Sequence, residues 1–161
     1  MTLAGARWVV RSTPERLVRI ATDFLLDEGF VHRDDSFGDV AGVHDSGWVA
    51  TSLEIGEQQR PRRFHVLRRP QPITSRTLVV ATARSVSRDV AELVVFPHPS
   101  DQDGSDAARI AAPRLTLALE GITAAAGAEG AMLSYEPLTS IAADDTSPAG
   151  PSTVRDVLGW R

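Results

Sequence analysis

One stretch, TLVVATARSVSRDVAELVVFP at residues 77–97, leaves the backbone few options. Two apolar runs rich in valine flank a short polar segment near Ser87-Arg88-Asp89. Side chains branched at Cβ favour the extended backbone. A link this short permits only antiparallel pairing, because a parallel return needs a crossover of about a dozen residues. The stretch therefore predicts a hairpin. Pro97 and Pro99 close it, since proline cannot donate to a ladder.

An equally local argument predicts a helix in STPERLVRIATDFLLDEGF, residues 12–30. Thr13 stands at the N-cap, Pro14 at the first helical position, and Glu15 at the positive end of the dipole. Leu17, Ile20, Ala21, Phe24 and Leu25 recur at the spacing of one buried stripe. The pairs Glu15–Arg19 and Arg19–Asp23 support the exposed side. Gly29 supplies a left-handed cap, and Phe30 is placed to fold back onto the last turn.

The rest of the chain fits around these two units. Residues 7–11, with Trp8, Val9 and Val10, read as a strand. Asp45-Ser46-Gly47 is turn chemistry between two extended runs. In the second of these, Val49, Leu53 and Ile55 alternate with Ala50, Ser52 and Glu54, the pattern of a half-buried strand. Phe64, Val66 and Leu67 suggest another strand after Pro61. Leu115, Ala118, Leu119, Ile122 and Ala125 form the stripe of a second helix. Pro113 argues against one uninterrupted helix from 106, placing the start of the main helix at that proline and its stop at Gly127. AMLSYEPL, residues 131–138, resembles a last short strand or an extended segment packed on the domain. The expected fold is α+β in two layers: an antiparallel sheet of about five or six strands with two amphipathic helices on one face.

This single domain is expected to occupy residues 5–137. Residues 138–152, including AADDTSPAGPS, have the composition of a flexible linker. A short amphipathic tail then follows at 153–161. Ser152 or Thr153 can cap a turn that sets Val154, Val157 and Leu158 on one side, with Trp160 just beyond Gly159. Two turns are too short to hold helical form alone in water. The tail must therefore fold back on its own domain, dock on a partner or stay frayed, and for docking these four residues are the candidates for contact with a protein partner.

Composition excludes more chemistry than it suggests. All 17 basic residues are arginine, and asparagine is also absent. Both missing residues have AT-rich codons, which points to a GC-rich, bacterial genome. Without lysine there is no Schiff-base nucleophile, Walker-type phosphate loop or kinase-type lysine. Cysteine is absent too, removing disulfides, thiolate catalysis and cysteine metal sites. The longest apolar-looking window, 115–133, is interrupted by Glu120 and Glu129, so no membrane span is expected. The N-terminus lacks the apolar core of a secretory signal, and the expected compartment is the cytoplasm.

The four histidines, His32, His44, His65 and His98, assemble no recognisable motif. His44-Asp45-Ser46 contains a triad's residue types, but neighbours on an extended chain point to opposite sides. Residues 98–106, HPSDQDGSD, have the alternating carboxylates that begin a calcium loop, yet the glycine comes early and no closing glutamate follows. No catalytic residue, metal ligand or cofactor is assigned.

Charge is strongly segregated. Residues 58–88 hold eight arginines and no acid, while the remaining nine arginines and 21 acids carry −12. Arg60, Arg62, Arg63, Arg68 and Arg69 are candidates for binding an anion, since guanidinium forks suit phosphate and carboxylate. The competing reading pairs these arginines with acids elsewhere in the domain. The acidic overall balance disfavours nucleic acid. Taken together, the sequence favours a non-catalytic binding or adaptor domain working through its sheet and C-terminal tail, with a protein partner or self-association. A small anionic-ligand-binding domain is the alternative.

Overall fold

The computed structural model describes residues 5–32, 48–56, 76–97, 106–128 and 131–138. Six strands form one sheet: β1 (Gly5–Val10), β2 (Val31–His32), β3 (Trp48–Gly56), β4 (Arg76–Ser87), β5 (Val90–Pro97) and β6 (Met132–Leu138). Two helices join them, α1 (Pro14–Asp27) and α2 (Asp106–Ala128). The spatial order is β2-β3-β4-β5-β1-β6, and every neighbouring pair is antiparallel. The expected α+β arrangement, helices on an antiparallel sheet, is the one observed.

The hairpin forms as its short polar link requires. β4 and β5 pair with Ala81 opposite Val95 and Ala83 opposite Leu93, and Arg88 and Asp89 make the turn. Each helix then carries the chain between parallel strands that are not neighbours. α1 leaves β1 and returns at β2, crossing β5, β4 and β3, against which it packs. α2 leaves β5 and returns at β6, with β1 lying between them. The first strand of the chain thus ends up inside the sheet.

The capping signals of α1 are realised in full. Thr13 Oγ1 accepts the Arg16 N–H at 3.3 Å. At the other end Gly29 adopts φ +91°, the Gly29 N–H reaches Leu26 O at 2.9 Å, and the Phe30 N–H reaches Leu25 O at 3.1 Å. Arg114 of α2 donates to Glu28 O at 2.8 Å, adding a cation where the helix dipole is negative. The buried stripe is Leu17, Val18, Ala21 and Leu25, with Pro14 at its head. Ile20 and Phe24 are only half-buried. Phe24 instead lies where α1 meets α2: a Cβ at Gly121 would stand 2.4 Å from Phe24 Cδ1. Only glycine permits that approach.

α2 corrects the sequence reading. It runs unbroken from Asp106 to Ala128, with Pro113 inside it. Pro113 itself is exposed, so the carbonyl that loses its N–H partner faces the wet side. Ala111 and Ala112, just before it, are buried with the core, as are Leu115, Ala118, Leu119 and Ile122. Burial of that early turn outweighs the local penalty. Ala126 takes the buried place expected for Ala125, and the helix passes Gly127 before it ends. The short strand Val31–His32 has no signal of its own in the sequence, whereas the strand expected around Phe64, Val66 and Leu67 lies outside the described residues.

Both helices and the inward residues of the sheet make one core. Ala6, Trp8 and Val10, Leu53 and Ile55, Val79, Ala81 and Ala83, and Ala91, Leu93 and Val95 all belong to it. The opposite face is equally dry at Leu78, Val80 and Thr82 on β4 and at Val94 and Phe96 on β5. Burial on both faces explains why these strands read as near-continuous apolar runs rather than as alternation. Ser52, expected to face outward, is also buried.

Candidate functional site

On the face away from the helices, charge crosses the sheet in a line. Arg7 lies on β1 between Glu92 of β5 and Glu136 of β6, its Nε 3.0 Å from Glu92 Oε1 and its Nη1 3.0 Å from Glu136 Oε2. Register places Arg84 of β4 directly opposite Glu92. The Glu92 side chain is only 7% exposed, whereas that of Glu136 is 60% exposed. Glu92 is therefore a buried carboxylate with arginines on both neighbouring strands. This line fixes register, because a one-residue slip would turn Arg7 into the apolar core.

The other face holds Trp8, fully buried, whose Nε1–H donates to Thr123 Oγ1 of α2 at 3.0 Å. Thr123 in turn donates to Leu119 O at 2.8 Å. The Trp8 ring lies 5.9 Å from that of Tyr135, its cross-strand neighbour on β6. Two further buried hydroxyls, Ser52 Oγ and Thr77 Oγ1, have no hydrogen-bond partner among the described residues.

Beyond Trp8 and Arg7 the sheet ends in β6, and here the surface changes character. Residues 133–137 are all exposed. Leu133 keeps 51% and Tyr135 45% of its surface in water, among the most exposed large apolar side chains described. An edge strand offers unpaired backbone groups as well as side chains. Among the described residues, exposed apolar side chains and the outer side of the sheet thus coincide along one seven-residue strand. At the opposite edge β2 is only two residues long.

Several residues named from the sequence cannot be placed relative to this edge. Arg60, Arg62, Arg63, Arg68 and Arg69 lie outside the described residues, as do Val154, Val157, Leu158 and Trp160. The same holds for His44, His65, His98 and most of the loop before α2. His32 is exposed on β2. Of the arginine-rich stretch, Arg84 faces Glu92 across the ladder and Arg88 is exposed in the hairpin turn. Arg7 and Tyr135, neither singled out from the sequence, stand nearest the open edge.

Among the described residues no group of three or more His, Cys, Asp or Glu side chains is arranged to hold a metal ion. Among them, too, no helix is long and apolar enough to cross a membrane. What fold and site define together is a two-layer α+β domain in which, among the described residues, β6 forms one long edge with exposed apolar side chains. Comparison with protein-family models, curated proteins and solved structures returned no significant match.

Proposed function

We propose that this chain is a non-catalytic binding or adaptor domain that contacts another protein through the outer edge of β6 and the C-terminal segment beyond it. The observation that carries this reading is the exposure of Leu133 and Tyr135 on a terminal strand of the sheet. An added strand would satisfy the backbone groups along that edge while alternate side chains confer specificity. The chain continues from β6 into the segment bearing Val154, Val157, Leu158 and Trp160. A tether of this kind raises the effective concentration of a second contact once the first has formed.

The test is site-specific photo-crosslinking in cells, with the probe at position 135, at position 160, or at Leu117 on the exposed side of α2. The reading expects discrete protein adducts from 135 and 160 and none from 117. Removing residues 150–161 should weaken the adduct formed at 135. Equal labelling at all three positions, or none at any, would overturn it.

A further inference from the structure

We infer that the partner at β6 is a second copy of this chain, joined edge to edge in an antiparallel pair about a twofold axis near Tyr135. This inference rests on the binding-domain reading above and names the occupant of that same edge.

The backbone shows which groups are on offer. In an antiparallel ladder the N–H and C=O of one residue point to the same side, and the side alternates along the strand. The Arg11 N–H donates to Ala131 O at 2.8 Å, so Arg11, and with it Val9 and Arg7, address β6. Gly5 supports the same phase: a Cβ there would stand 2.6 Å from Val95 O, which turns toward β1 from the residue opposite Ala6. The partners of Val9 and Arg7 on β6 are Ser134 and Glu136, whose backbone groups turn inward. Tyr135 and Pro137 therefore turn theirs outward. Pro137 has no N–H to leave unpaired, which is why a proline is tolerated at that position.

Charge selects the occupant. The chain carries a net −4 overall, and like charges directly opposite one another would oppose strand pairing. β6 carries one ionised side chain, Glu136, and Arg7 of the same copy neutralises it at 3.0 Å. Natural edges are usually guarded by lysine or by inward-pointing charge. Apart from Pro137 and the irregularity at Val9/Val10, this one has no such guard among the described residues. With the axis at Tyr135, Ser134 falls opposite Glu136 of the other copy and Leu133 opposite Pro137, so no like charges meet. The two Tyr135 residues exchange N–H···O bonds, and their rings lie side by side next to the two Trp8 rings. Such a patch is complementary to itself, as a twofold interface requires.

Sedimentation equilibrium of the full chain over a wide concentration range tests this, together with Tyr135→Ala, Tyr135→Pro and Ser134→Pro. The wild type is expected to approach twice the chain mass. Tyr135→Ala keeps the outward N–H. Tyr135→Pro removes it from both copies and should weaken the dimer by roughly thirtyfold more than the alanine variant does, with its unfolding temperature as a monomer matching that of Tyr135→Ala. Ser134→Pro removes an inward N–H and should lower the unfolding temperature. A wild type that stays monomeric throughout, or a Tyr135→Pro variant that dimerises as well as Tyr135→Ala, overturns self-pairing. A monomeric wild type whose crosslinker at 135 still captures a different protein overturns the second copy as partner and leaves the binding-domain reading standing. A monomer with no adduct at all sinks both.

Discussion

Replacing Glu92 with glutamine separates the two ends of the Arg7 ion-pair line by burial alone. Both carboxylates stand 3.0 Å from the same guanidinium, one almost dry and the other mostly in water. At that separation, with an effective dielectric of ~20, the gross attraction is about 5 kcal/mol before desolvation is counted. Breaking a buried pair from one side costs roughly 3–5 kcal/mol, because the remaining charge is stranded. Arg7 keeps Glu136 in the variant, which places Glu92→Gln at the lower end, about 3 kcal/mol. Glu136→Gln should cost under ~1 kcal/mol, as exposed pairs do. For a chain of this size the first loss lowers Tm by roughly 6–12 °C and the second by a few degrees at most. Urea titration and calorimetry of the two variants measure the difference. The double variant Arg7→Met/Glu92→Leu should regain most of the loss, since a packed apolar pair replaces a buried ionic one at little net cost. Equal losses for the two glutamine variants, within about half a kcal/mol, would refute the role given to burial.

Gly29→Ala forces a side chain into left-handed backbone and toward Arg114 Nη1, 2.6 Å from the new Cβ, and should destabilise by about 1–2 kcal/mol in urea titration. Thr77→Val removes a buried hydroxyl that has no partner among the described residues while keeping its shape, so stability should hold or rise by up to about 1 kcal/mol. Pro113→Ala restores a helix N–H on the exposed side of α2 and should raise stability by roughly 1–3 kcal/mol; a helix broken at 113 would leave it unchanged.

The elements legible in the sequence are those decided within a few residues. The β4–β5 hairpin follows from the shortness of its link, and α1 from Thr13, Pro14 and Gly29, each of which acts on its own neighbours. Pro113 shows where such reasoning stops. Its penalty is local, but the burial of Ala111 and Ala112 that offsets it comes from the sheet below. Strand order is equally out of reach, because two helical crossovers set it and no residue announces which strand it will join. Arg7 reads from sequence as the polar end of a short strand and proves to be the charged centre of a three-strand line. Only its neighbours make it so. The open edge of β6 leaves one trace, Pro137, which sits easily in an edge strand and poorly in an interior one. Local pattern marks residues 131–138 as a strand, but nothing in it says that the strand is the outermost.

Position at the edge also bears on how β6 behaves. Among the described strands it is held by β1 only, through backbone pairing, the Arg7–Glu136 contact and the packing of Tyr135 near Trp8, with a few contacts from α2. β5 is held on both sides by neighbouring strands and is buried on both faces. Local opening requires breaking only the contacts that an element makes, so β6 should open well below the free energy of global unfolding and β5 close to it. Amide exchange followed at low concentration should show Ser134 and Glu136 exchanging far faster than Leu93 and Val95. The outward Tyr135 amide, with no acceptor among the described strands, should exchange fastest in the strand. A bound partner strand gives that amide an acceptor and adds its binding free energy to the opening of β6. Protection at Tyr135 should therefore rise with protein concentration if a second copy pairs there, and in step with any protection gained at Ser134 and Glu136. Tyr135 protection as high as that of β5 at every concentration would mean that the edge is not open, and the binding role assigned to it would fall.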